Sequence, residues 1–313
     1  MNLQEKGPAA VKEGITATVL VIILQVMSTV IPLAGLFIYL AGIPFFLVTR
    51  KYGFHFVLAF VCMAYIFAGV LSGFVNAIFD VLSALLPAVM MGELSRLGRR
   101  QKEILAKGVI AGILCQLAAA AAQYVMWGSP MAQSVREILR QPVQKALDQG
   151  EITRHGAELL AQSYEMMLKA MPSIIFLWTV IVVLLIYYIG CGILIRRGMA
   201  IENYEPFILF SFSRQLVFGS FVLYACAWVS DLLGIGDGQV LYLNLLIILW
   251  FLFALQGTAV TAFLCRRMRF PAVLSALFLG ILLISMIGTI ILFIVGLLDI
   301  FARFRDRSSR DKE

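Results

Sequence analysis

PSIIFLWTVIVVLLIYYIGCGILIRR, residues 172–197, carries no charge from Ser173 to Ile195 and then ends on two arginines. A helix rises about 1.5 Å per residue, so crossing ~30 Å of hydrocarbon takes about 20 apolar residues. This stretch therefore reads as a transmembrane helix whose cationic end marks one membrane surface. The whole chain shares its character: of 313 residues, 61% are hydrophobic and 14% charged, with a mean hydropathy of +0.94. Soluble domains carry about 45–50% apolar and ~25% charged residues. The fold class is thus all-α, a polytopic transmembrane helical bundle forming one integral membrane domain over residues 1–313.

By the same length criterion, further spans lie at 55–75, 77–93, 104–127, 207–231 and 241–264. The block 15–48 is too long for one crossing and holds Pro32 and Gly35 mid-way, so it reads as a hairpin of two short helices. The block 270–301 is either one tilted helix, roughly 48 Å long, or a hairpin turning near Ser285 to Gly288. Basic residues decide between them. They cluster at Arg50/Lys51, Arg96 to Lys107, Arg196/Arg197, Arg266 to Arg269, and in the tail 303–313. The positive-inside rule puts these clusters in the cytoplasm, and a cytoplasmic tail needs an even number of crossings in the last block. Ten membrane segments with both termini cytoplasmic result; nine is the alternative.

The long segment 128–171 carries five basic and five acidic residues, a balance suited to the outer side. Its apolar positions (Val135, Ile138, Val143, Leu147, then Leu160, Tyr164, Met167, Met171) recur with helical spacing. Two amphipathic helices are expected, either as a structural cap or as a lid over a cavity. A polar connector, RRGMAIENYEP (196–206), separates six segments over 15–195 from the additional segments over 207–302.

Several chemistries lack their signatures. Five cysteines (Cys62, Cys115, Cys191, Cys226, Cys265) and two histidines (His55, His155) show no metal-ligand spacing, so neither disulfides nor a metal site is expected. No HExxH, GxSxG or phosphate-binding loop is present, and no cofactor is expected. The N-terminal apolar run continues without a small-residue cleavage site and reads as a retained anchor. The net charge of +7 follows from the cytoplasmic clusters and does not call for nucleic acid.

Ionisable and amide side chains within hydrocarbon are costly, so each one requires an account. Asn76 and Asp80 stand one turn apart with Ser72 and Ser83 on either side, forming one polar stripe near an outer helix end. Asp80 is a candidate to hydrogen-bond or neutralise a substrate, or equally to bond a neighbouring helix. Gln116 and Gln123 share a face across LAAAAA, a close-packing surface of small residues, while Gln123 with Trp127 would suit an outward pocket. Asn76, Asp80, Gln123 and Trp127 are the substrate-binding candidates, and no catalytic residue is assigned. Arg214 can snorkel or pair with Glu202 or Glu205. GVLSG (69–73) matches the GxxxG helix-contact pattern. Gln256 lies mid-span and must find a partner on another helix. Asp299 precedes Arg303 by four residues, the order that favours a helical ion pair. With Arg305, these residues read as an anchor at the inner interface.

Three stretches resemble a bacterial membrane-protein family, domain-of-unknown-function family 2232, the YybS-like proteins. They are AGIPFFLVTRKYG (41–53), LQGTAV (255–260) and GLLDIFARFR (296–305). In the last of these, Gly296, Leu297, Asp299, Phe301, Phe304 and Arg305 match the family tail. Ala302 and Arg303 stand where the family has an aromatic and a second acid. The resemblance implies a distant similarity to the substrate-binding S components of energy-coupling-factor transporters. These are coupled to a transmembrane component and ATP-binding-cassette ATPases. The six segments over 15–195 would be the S-like part, although the alanine-spaced motif of many S components is absent from ITATVLVIILQV.

The expected function is a small-molecule binding or uptake component of the bacterial inner membrane, without its own ATPase. The alternative is a non-transporting scaffold whose basic cytoplasmic edge recruits partners or anionic lipid. An intramembrane enzyme has the least support, because no spacing demands an acid pair within general acid–base reach.

Overall fold

The structure, a computed structural model, describes residues 7–31, 38–127, 131–212, 214–234 and 237–302; the side chains of Asp80, Trp127 and Arg214 are outside the described ones. Pro32 and Gly35, where the first hairpin was expected to turn, also lie outside, as does the tail 303–313. Most of the described residues are helical, with no strand among them. The helices are α1 (Gly7–Val30), α2 (Gly42–Tyr52), α3 (Phe54–Ser72), α4 (Phe74–Ala77), α5 (Ser83–Arg96), α6 (Gln101–Trp127) and α7 (Met131–Asp148). They continue with α8 (Arg154–Lys169), α9 (Met171–Arg196), α10 (Arg214–Leu232), α11 (Gly238–Arg267), α12 (Ala272–Ile284) and α13 (Met286–Ala302).

Five of these are long and apolar enough to cross a membrane: α1, α3, α6, α9 and α11. The pair α12 and α13 makes a sixth if counted as one span, but it bends by 103° between the two helices. The other segments expected from the sequence are short or broken helices, including α2, the α4–α5 stretch and the apolar part of α10. The break after α12 has a local cause. Ser285 sits in an extended conformation, and its hydroxyl accepts from the Gly288 N–H at 3.0 Å, so it ends one helix and caps the next.

The chain forms two compact units, Met1–Leu168 with Trp178–Tyr204, and Lys169–Leu177 with Glu205–Glu313. In the first unit α2, α5 and α6 pack through small residues. A Cβ at Gly92 would meet the Phe46 carbonyl oxygen at 2.7 Å, and one at Gly42 would meet that of Ala84 at 3.0 Å. Helices in lipid gain little from hydrophobic exclusion, so such close approach supplies the dispersion contact that holds them. Phe45, Phe46 and Tyr187 are fully buried in this unit. Gly53 ends α2 at φ 96°, a region that favours glycine. Glu93 of α5 then accepts from the Phe54 N–H at 2.9 Å, capping α3.

In the segment between membrane helices, the expected amphipathic pair is α7 and α8. Arg136 Nη2 of α7 donates to Glu165 of α8 at 2.8 Å. In the second unit, Val217, Leu249, Phe253 and Ile300 form a buried core. Asn244 of α11 holds the Lys169–Leu177 stretch there. Its Oδ1 accepts from the Ser173 N–H and its Nδ2 donates to the Lys169 carbonyl, each at 2.8 Å.

Candidate functional site

The polar stripe predicted around Asn76 lies on the most irregular helix of the first unit. Gly73 breaks the chain at φ 89°, α4 lasts one turn, and Ile78–Leu82 then winds as a π-helix before α5 resumes. Both glycines of GVLSG serve this break rather than an ordinary helix contact. Gly73 makes the turn, and a Cβ on Gly69 would collide with the Phe74 ring. A π-turn leaves backbone carbonyls poorly matched to the α ladder, and in hydrocarbon those groups need partners. Around the break that leads into it, side chains bond backbone carbonyls: Asn76 Nδ2 donates to the Ser72 carbonyl at 2.7 Å, Ser72 to Ala68 at 3.0 Å, and Tyr65 to Phe74 at 3.2 Å. The Ser83 hydroxyl likewise donates to the Phe79 carbonyl.

The π-turn packs against α6, the helix that carries Gln123. Asn76 is exposed and Gln123 half-buried. The side chains of Asp80 and Trp127, the other two binding candidates, are outside the described residues. Cavities of about 480, 400 and 190 Å³ are each lined by other residues.

Two of the three stretches that carried the resemblance meet in the second unit, where α11 crosses α13. Gln256, 1% exposed, donates through Nε2 to Asp299 Oδ2 at 2.9 Å. Its Oε1 accepts from the Phe212 N–H at 2.8 Å. The mid-span amide thus has the interhelical partner that burial requires. Asp299 is itself 4% exposed, set into the crossing. Arg303 and Arg305 lie outside the described residues, and the ion pair expected between Asp299 and Arg303 falls there too.

Glycines on both helices bring the backbones together at this point. A Cβ on Gly257 would coincide with the Leu292 carbonyl oxygen, and one on Gly296 with that of Phe253. Trp250 and Phe293 stack at 4.7 Å beside the crossing, and an apolar cleft of about 190 Å³ opens between Tyr224, Trp250 and Phe293.

The third stretch, 41–53, places Arg50 at the end of α2. Its Nη1 donates to the carbonyl and hydroxyl of Ser95, both at 2.6 Å, and its Nη2 to the Ala200 carbonyl at 2.9 Å. Sequence reasoning treated Arg50 only as a charge. Its neutral partners are set by tertiary contact between residues far apart in the chain. Asn244 was also missed, although an amide inside YLNLLIILW was a visible signal.

These features define a polytopic helical membrane protein built from two units of closely crossed helices. The chain belongs to a family described as "Predicted membrane protein (DUF2232)", whose family model matches residues 19–300. No curated protein and no solved structure matches it.

Proposed function

We propose that the protein is a binding component for small-molecule uptake across the bacterial inner membrane, not an enzyme, and without an ATPase of its own. The observation that carries this reading is the glycine-broken, π-wound stretch Gly73–Leu82 facing α6. Irregular helices inside a membrane bundle are used where a ligand must reach backbone and polar groups at depth. In this reading Asn76, Asp80, Gln123 and Trp127 line the ligand site. The first unit is the S-component-like part, and a transmembrane coupling subunit with ATP-binding-cassette ATPases supplies the energy. The chain crosses the membrane with ten segments, the short and broken helices counted individually, and both termini are cytoplasmic.

Mass spectrometry of small molecules released from the purified protein tests the ligand site. Asp80→Ala and Trp127→Ala should each deplete a co-purifying compound, and undiminished retention in both variants removes the pocket assignment. Affinity capture tests the energy source: recovered ATP-binding-cassette subunits support uptake, whereas other complexes without an ATPase support the scaffold alternative. A topology reporter fused after Glu313 should read cytoplasmic, and an external signal excludes the ten-segment arrangement.

A further inference from the structure

Two clefts in the first unit adjoin at the ends of α1, α2 and α5. The larger, about 480 Å³, runs between α1 and α2 and is lined by Lys12, Glu13, Leu20, Leu47, Val48 and Arg197. The smaller, about 400 Å³, is lined by Arg50, Lys51 and Arg96 with Leu194 and Met199. The ion pair of Lys51 with Glu13, 2.5 Å long, joins them, since one partner lines each cleft.

The charges are unbalanced. Five cations (Lys12, Arg50, Lys51, Arg96, Arg197) line the clefts with one carboxylate, Glu13, which is bonded to Lys51; Arg96 is bonded to Glu93, which lines neither cleft. Among the described residues no ion pair engages Lys12 or Arg197. Arg50 is held by neutral acceptors on Ser95 and Ala200, which fix its guanidinium without neutralising it. Bonding to Glu13 raises the Lys51 ammonium above its ordinary range, so it stays charged at neutral pH.

The apolar wall decides what kind of anion fits. Leu20, Leu47 and Val48 continue the larger cleft along α1, a helix apolar enough to cross the membrane. From Lys12 to Leu20 the helix rises about 12 Å, so cations stand at one end of a groove that runs into the depth of the bilayer. A soluble anion would use the cations and leave the groove unused; a phospholipid uses both. Cationic pockets between membrane helices on the cytoplasmic side suit anionic headgroups. We propose that this double cleft is a binding site for an anionic phospholipid, with its phosphate at Lys12 and Arg197 in the larger cleft, the cations of the smaller cleft alongside, and an acyl chain along Leu20, Leu47 and Val48.

The test uses the purified full chain in neutral detergent, with thermal unfolding followed as lipid is added, because a ligand of the folded state raises its melting temperature. Phosphatidylglycerol should stabilise at concentrations at least tenfold lower than phosphatidylcholine. Lys12→Gln and Arg197→Gln break no described side-chain bond and should leave the lipid-free melting temperature unchanged. Each should weaken the phosphatidylglycerol response about fivefold, which corresponds to ~1 kcal/mol per cation near an anionic surface. Lys145→Gln, an exposed cation on α7, should change nothing. Equal responses to the two lipids, or a wild-type response in both variants, overturns the site. Stabilisation by inorganic phosphate equal to that by phosphatidylglycerol overturns the lipid assignment in favour of a soluble anion.

Discussion

Replacing Gln256 by leucine keeps the volume of the α11–α13 crossing and removes its amide. Two groups then lose a partner: the Phe212 N–H, bonded at 2.8 Å, and Asp299 Oδ2, bonded at 2.9 Å. A buried polar group left without its bond costs about 1–3 kcal/mol. Phe212 is only half-buried, so lipid headgroups or water can partly restore its bond, whereas Asp299 is 4% exposed. Interhelical bonds in membranes average about 0.6 kcal/mol, with a maximum near 1.7, because the unfolded chain in a membrane also finds partners. These bounds together place the loss for Gln256→Leu at about 2 kcal/mol. The sharper quantity is the coupling in a cycle with Asp299→Leu. The double variant lacks both members of the Gln256–Asp299 bond, so it should be more stable than the summed single losses by about 0.5–1.7 kcal/mol. Unfolding in mixed sodium dodecyl sulfate micelles measures this, with fluorescence of Trp250, stacked on Phe293 at the crossing, as one reporter. Additivity within about 0.3–0.5 kcal/mol would refute the claim that the bond between the two helices contributes to stability.

Gly257→Ala and Gly296→Ala each put a methyl onto a carbonyl of the facing helix, so each should destabilise by about 1–3 kcal/mol or more in the same assay. Gly280→Ala, with nothing within 4 Å, should be neutral or stabilise by up to ~1 kcal/mol. Asn244→Leu removes the bonds to Ser173 and Lys169 and should cost about 1–3 kcal/mol, read as faster proteolysis around residue 170. Arg136→Ala breaks an ion pair whose side chains are 41% and 39% exposed. It should change the melting temperature little, since such pairs contribute about 0–1 kcal/mol.

The sequence by itself determined that the chain is a helical membrane protein, because hydropathy over about 20 residues is a local property that needs no fold to read. It also located the Ser285 break, the amphipathic helices after Trp127, and the requirement that Gln256 have a partner on another helix. Spacing alone could not say which partner. Asp299 reads in sequence as the acid four residues before Arg303, but its described hydrogen bond reaches 43 residues back along the chain to Gln256. Gly69 and Gly73 read as a helix-contact motif by spacing, although their conformation and neighbours make a turn that leads into a π-wound segment. Only the tertiary structure decided these points. Hydrocarbon requires every buried polar group to be paired, but which group satisfies it depends on how closely two backbones approach. At the α11–α13 crossing that approach is set jointly by Gly257 and Gly296, residues distant in sequence that act only once the helices are in contact.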